Sequence, residues 1–191
     1  MKKTSELDRS AIQRQALIEF YESTNGPDWK QNANWLTPRP VHTWWGVTAD
    51  AKGNILRLDL DKNNLCGAIP ATIGELTELW DLRISENNIT GAIPDRICEL
   101  AKLVYFIANG NKMVGEIPLH IGRLTQLAIL RLQNQNISGN IPDSIEKCAE
   151  LEELNLFRNF ESSFSDMSHV AFHKIENCLS FKCVTRMTRS D

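Results

Sequence analysis

The chain has 191 residues, is 42% hydrophobic and 24% charged, and carries a net charge of −3. No apolar run is long enough to cross a bilayer, and the lysines and arginines are interleaved with acids, so neither a membrane span nor the basic face of a non-specific nucleic-acid binder is expected. No P-loop, dinucleotide glycine fingerprint, HExxH or nucleophile elbow occurs, and the four histidines form no evident triad, so the expectation is a protein without enzymatic activity or cofactor.

Met1-Lys2-Lys3 leads into Thr4-Ser5-Glu6-Leu7-Asp8-Arg9 without the apolar core of a secretory signal. Ser10 with Gln13 has the form of a capping box. Ile12, Leu17, Phe20 and Tyr21 fall near helical spacing until Asn25-Gly26-Pro27 stops the segment, which predicts one amphipathic helix over about 10–24. Trp29, Trp35, Trp44 and Trp45, with Val47, make a tryptophan-rich stretch over 29–47. Together with the helix stripe it is the apolar material a solenoid needs to cover its first coil, so residues 1–54 are expected to form an N-terminal cap with structural tryptophans.

From Ile55 the pattern LxxLxLxxNxLxGxIPxxI recurs four times at an unbroken interval of 24 residues, opening at Ile55, Leu79, Leu103 and Leu127, with a fifth copy begun at Leu151. Position four (Leu58, Leu82, Phe106, Leu130, Leu154) and position six (Leu60, Ile84, Ala108, Leu132, Leu156) alternate like a short strand with one buried face, so each repeat contributes one strand of a parallel sheet. Position nine is Asn63, Asn87, Asn111, Gln135 and Asn159, where an amide inside the turn satisfies backbone groups that leucine would leave unpaired; Gln135 is the one departure. Gly67, Gly91, Gly115 and Gly139, each followed two residues later by Ile-Pro, give a bend and then a rigid step, so the return segment is expected to be extended or 3₁₀. The repeats fill 55–160 as four full copies and a partial fifth.

Past Asn159 the pattern breaks. Phe164, Met167, Val170, Phe172, Ile175, Leu179, Phe181 and Val184 supply enough apolar material to cover the last coil, and 161–191 is expected to be a C-terminal cap or tail. That stretch holds a metal-like spacing, His169, His173, Cys178 and Cys183, of ligand types that zinc accepts. Zinc modules favour tighter cysteine pairs in glycine-rich knuckles, so no metal is expected and these four residues stand only as an alternative reading. Cys66, Cys98 and Cys148 fall at different repeat positions and read as packing thiols. The sequons Asn88-Ile89-Thr90 and Asn136-Ile137-Ser138 lie where the repeat grammar itself generates them.

The repeats resemble the plant-type leucine-rich repeats, whose consensus carries the same Gly-x-Ile-Pro step. The resemblance implies an α/β leucine-rich-repeat solenoid with a concave parallel β-sheet, an extended or 3₁₀ convex side and a helical N-terminal cap. The stretch from Ala16 to Asp50 is similar to the cap of plant-type repeat proteins and, more closely, to that of free-standing repeat proteins of bacteria and algae. The plant cap is closed by two cysteines that stand here as His42 and Ala49, so that bridge cannot form. A cytoplasmic location is expected. The alternatives are a secreted recognition or inhibitor protein resembling plant polygalacturonase inhibitors and receptor ectodomains, with a removed signal and a Cys178 to Cys183 bridge, or the repeat part of a larger signalling protein.

The fixed period places the outward residues of the sheet. Position three gives Arg57, Asp81, Tyr105, Ile129 and Glu153; position five gives Asp59, Arg83, Ile107, Arg131 and Asn155; position seven gives Asp61, Ser85, Asn109, Gln133 and Phe157. Tyr105, Ile107 and Ile129 are expected to form an exposed apolar patch bordered by Arg83 and Arg131, the arrangement in which protein interfaces concentrate energy. The expected function is binding of a protein partner through this face, with weak self-association as a further option. Five strands at about 4.8 Å spacing make a face of only about 350 Å², against about 800 Å² per partner in a standard interface. Either a partner also grips the flanking residues Lys62, Glu86, Asn134, Arg158 and the neighbourhood of Trp80, or binding is weak, or the protein self-associates.

Overall fold

The structure, a computed structural model, describes residues 6–159, with side chains described from residue 9. The C-terminal cap, the alternative zinc ligands and the Cys178–Cys183 pair lie outside the described residues.

One helix, α1 (Glu6–Ser23), precedes ten short strands: β1 (Val47–Ala49), β2 (Ile55–Asp59), β3 (Cys66–Ala68), β4 (Asp81–Arg83), β5 (Asn88–Thr90), β6 (Tyr105–Ile107), β7 (Val114–Gly115), β8 (Ile129–Arg131), β9 (Asn136–Ile137) and β10 (Glu153–Asn155). The main sheet has the order β1-β2-β4-β6-β8-β10. β1 joins antiparallel to β2, and each repeat then adds one parallel strand in strict 24-residue register, as in Arg57 opposite Asp81, Asp81 opposite Tyr105, Tyr105 opposite Ile129 and Ile129 opposite Glu153. The return segments are 3₁₀ turns at Ala71–Glu75, Asp95–Glu99, Ile121–Arg123 and Asp143–Lys147. Two small parallel pairs, β3 with β5 and β7 with β9, flank the solenoid, and Gly91 and Gly115 take positive φ there so that the chain can bend from these strands into the Ile-Pro step. Among the described residues no helix is long and apolar enough to cross a membrane.

The core is the stacked columns. Leu58, Leu82, Phe106 and Leu130 are fully enclosed, as are Leu60, Ile84, Ala108 and Leu132. The cap closes their first end with an aromatic cluster: Trp29 lies 5.0 Å from Tyr21 and 4.9 Å from Trp35, and Trp35 lies 5.0 Å from Trp44. Burial of these rings removes large apolar areas from water, and the indoles of Trp29 and Trp35 donate to the carbonyls of Thr24 and Trp45 rather than losing their polar bond. Arg14 lies 4.7 Å above the Trp44 ring and donates to the carbonyls of Arg39 and Thr37, tying the intervening loop to α1.

The capping box expected at Ser10 and Gln13 does not form. The helix begins at Glu6, so Ser10 is interior, and Gln13 is fully buried with its Oε1 accepting the N–H of Ile55 at 2.7 Å. The side chain thus caps the first repeat strand instead of the helix.

Position nine works as the sequence implies. Asn87 accepts from the N–H groups of Asn63 and Leu65 in the preceding coil and donates to the carbonyls of Leu60, Ile84 and Ser85. Asn111 accepts from Ile89 and donates to Ile84 and Ala108; Asn159 accepts from Ile137 and donates to Leu132 and Leu156. Gln135, one methylene longer, keeps only a donation to Leu132 at 3.3 Å, and its Oε1 is buried without a partner. An unpaired buried acceptor costs about 1–3 kcal/mol. Gln135→Asn is therefore expected to stabilise the fold by about 1 kcal/mol, a rise of roughly 2–4 °C in Tm by calorimetry; a lower Tm would refute this account of the column.

Candidate protein-binding face

The outward side of the main sheet is built from positions two, three, five and seven of stacked repeats. Tyr105 and Ile129 are half-buried neighbours in position three, as the register predicts. Ile107, expected to be exposed beside them, is only 7% accessible. It lies between Arg83 and Arg131 on the flanking strands, and arginine stems cover apolar neighbours while their heads stay in water. The contiguous exposed patch of Tyr105, Ile107 and Ile129 is thus corrected to the first and last of these.

The charges are also arranged differently from a free polar rim. Asp81 is 1% accessible although it points to the outer face, because Arg57 and Arg83 close over it at 3.2 and 2.9 Å. Arg57 also pairs with Asp59. Arg131 grips Glu153 with two parallel hydrogen bonds at 2.7 and 2.8 Å, which holds its guanidinium more firmly protonated than usual. The three arginines of the face are therefore each held by a carboxylate.

The residue the outward positions omit is Trp80. Its ring is 38% exposed and meets Tyr105 edge to face, with centroids 6.0 Å apart; the Arg83 guanidinium lies 5.8 Å from the same Tyr105 ring. At the entry to the strands two consecutive N–H groups converge on one carbonyl: Val104 and Tyr105 on Trp80, Ala128 and Ile129 on Val104, Glu152 and Glu153 on Ala128. Strict alternation starts only after that irregularity, so position two is not a second core column. Leu56, Trp80, Val104 and Ala128 instead border the face as a partly accessible apolar row. The signal was present in the sequence as this column of apolar residues.

Position seven forms a polar row. Asp61 Oδ1 accepts the N–H of Ser85 at 2.5 Å, Ser85 donates to Asn109 Oδ1 at 3.0 Å, and Asn109 donates to Glu86 at 3.4 Å. Gln133 follows, half-buried with an unpartnered Oε1, and the row ends at the exposed Phe157, over which Arg158 stacks at 5.2 Å. Lys62, Glu86, Asn134 and Arg158, with Gly110 in the same repeat position, all have positive φ, so the chain turns away from the face at one fixed point in every repeat. Among the described residues no group of His, Cys, Asp and Glu could hold a metal.

These features define a repeat protein with an accessible sheet face, parallel apart from β1. The profile of the Leucine Rich Repeat family matches residues 78–100 and 126–148. No curated protein matches the sequence. Among solved structures, PEPR1 crystallised with AtPEP1 shares 24% identity at a TM-score of 0.69, the match covering 76% of this chain and 21% of that one. The receptor-kinase ectodomain GASSHO1/SCHENGEN3 of Arabidopsis thaliana, in complex with CASPARIAN STRIP INTEGRITY FACTOR 2, shares 27% identity at 0.67, over 75% and 18%. A chain of the BIR3–SERK2 complex of the same plant shares 26% at 0.58, over 78% and 79%. The chain therefore spans about a fifth of the length of the first two. The matched segments are leucine-rich repeats, and the fold is that of a leucine-rich-repeat solenoid.

Asp61 is half-buried, and burial pushes its carboxyl above the ordinary range against the lowering effect of the Ser85 hydrogen bond, with the Asp59 charge adding to the rise. A folded-state pKa above the unfolded one means the carboxylate destabilises the native state at neutral pH, and that penalty disappears as pH falls through the raised pKa. Asp61→Asn keeps an acceptor for Ser85, so it is expected to raise Tm at pH 7 and to lose that advantage near about pH 4. A gain that grew on acidification would contradict the sign.

Proposed function

We propose that the chain is a non-catalytic interaction module that binds a protein partner through the concave face of its sheet. The observation that carries this is the apolar row meeting half-buried Tyr105 and Ile129 beside the exposed Trp80, on a surface whose arginines are occupied by carboxylates. Such a surface has few ionisable groups free for chemistry but offers aromatic area to a partner. PEPR1 and GASSHO1/SCHENGEN3 were crystallised with AtPEP1 and CASPARIAN STRIP INTEGRITY FACTOR 2, which supports partner binding by this fold. Arg83, Arg131, Asp59, Asn109, Gln133 and Phe157 frame the contact, while Asp81 acts from beneath by holding Arg57 and Arg83 in place.

The reading places the protein in the cytoplasm, on the cap positions His42 and Ala49 and on its thiols. Cys98 and Cys148 are buried, which pushes both thiols up to about 11, and Cys66 is exposed. The membrane-receptor neighbours favour, as the second reading, an extracellular repeat segment of a larger receptor.

Tyr105→Ala combined with Ile129→Ala is expected to abolish partner binding in pull-down from the native source and to leave Tm nearly unchanged. A large fall in Tm would assign both residues to the core instead. In the native protein at pH 8, Cys66 is expected to alkylate at least about tenfold faster than Cys98 and Cys148, as mass spectrometry of the three peptides would show; equal rates would contradict the burial.

A further inference from the structure

The two ends of the main sheet are finished differently. At the first end β1 lies antiparallel against β2, so the cap covers the outer edge of the first coil. At the other end β10 is the last strand described, and among the described residues it pairs only with β8. An open strand edge presents N–H and C=O groups that proteins ordinarily cover. We infer that this edge is a docking site for a segment of the same chain, residues 175–183, which adds a sixth repeat strand parallel to β10 in the same 24-residue register.

The backbone groups that such a strand meets can be named from the coils before it. The position-six N–H donates to the position-five carbonyl of the next coil, as Ala108 does to Arg131 and Leu132 to Asn155, each at 2.9 Å. The position-eight N–H donates in the same way to position seven, as Gly110 does to Gln133 and Asn134 to Phe157, each at 2.9 Å. In the fifth coil the equivalent donors are the N–H groups of Leu156 and Arg158, and neither has a partner among the described residues. The same holds for the carbonyl of Glu152, whose counterpart at Ala128 accepts two N–H groups from the following coil.

The sequence supplies an occupant at the matching interval. Ile175 stands 24 residues after Leu151 and so takes position one, and Cys178 stands 24 residues after Leu154 and takes position four. Ser180 takes position six, where the third coil already carries the small Ala108. Phe172 falls on the buried column of Leu100, Leu124 and Cys148. The run Ile175-x-x-Cys178-x-Ser180-x-x-Cys183 is thus a repeat opening in which thiols replace leucine and the amide, and cysteine is among the residue types most often buried. A thiol is only a weak donor, so the column of strong amide bonds ends at Asn159.

The outward positions agree with that register. Phe157 is 45% exposed at position seven of the fifth coil, and the next member of its row is Phe181, which gives the ring an aromatic neighbour across the added strand. Residues 160–174 lack the Gly-x-Ile-Pro step but fill the same span of the period as 136–150, so no insertion shifts the register. A second copy could offer its own edge to β10. The chain's own segment is tethered to that edge, which gives it a high effective concentration there without any further contact.

Amide hydrogen exchange on the 191-residue protein, resolved by NMR, tests this. The Leu156 and Arg158 amides are expected to exchange within about tenfold of Leu132 and Asn134. Cys178→Glu is expected to speed both at least about tenfold and to lower Tm, whereas Asn177→Glu, one residue earlier and on the outward side, changes neither. The Cys178 thiol is expected to alkylate as slowly as those of Cys98 and Cys148. Free exchange at Leu156 and Arg158 in the unsubstituted protein would overturn the inference, whatever the variants do. A Cys178–Cys183 bridge would overturn it too, because a strand separates those positions by more than a disulfide spans. Equal effects of Cys178→Glu and Asn177→Glu would refute the register. Protection that is lost on dilution, together with a dimer in sedimentation, would assign the edge to a second copy instead.

Discussion

The coils of this protein are tied together by side-chain amides in their turns, at Asn63, Asn87, Asn111 and Asn159, with Gln135 the weak member. A solenoid coil must reverse direction inside its own core, and each reversal leaves backbone N–H and C=O groups where water cannot reach them. The asparagines of position nine answer both needs at once. Asn87 accepts from two N–H groups of the coil before it and donates to carbonyls of that coil and its own. The bond crosses between repeats, so it fixes spacing along the solenoid as well as the turn within each coil. The 24-residue register of the sheet, and with it the placement of every outward side chain, follows from that repeated contact.

This explains why so much of the fold is legible in the sequence. Leu58, Leu82, Phe106 and Leu130 can be assigned to the core, and the 3₁₀ return segments to their side, because the same local solution recurs and each copy checks the others. Features made once are harder to read. The Ser10–Gln13 spacing has the form of a helix cap, yet Gln13 is used 42 residues away at Ile55, a tertiary contact that no local pattern encodes. Trp80 is harder to place for a different reason: it stands at position two, where shared carbonyls interrupt the alternation of the strand.

Burial on the outer face depends on neighbours one repeat away rather than on residue type. Ile107 is apolar and outward, but arginines on both adjacent strands enclose it; Asp81 is charged and outward, but arginines enclose it too. The apolar surface is thereby displaced toward the strand entries, and the middle of the sheet becomes a tiled layer of ion pairs. Partly exposed pairs of this kind add little stability individually. Their larger consequence is for recognition, since a layer already neutralised from within offers shape and apolar area in place of charge.

The stabilising column is buried inside the turns, while the proposed contact surface is the outer face of the sheet, so the account requires that partners touch the sheet side of the solenoid and not its 3₁₀ side. Placing a photoreactive phenylalanine analogue at Tyr105, or at Arg96 on the 3₁₀ side, and crosslinking in the native source tests this directly. The account predicts a specific adduct from the Tyr105 position and none from the Arg96 position. Adducts from the Arg96 position alone would contradict it and move the working surface to the other side of the solenoid.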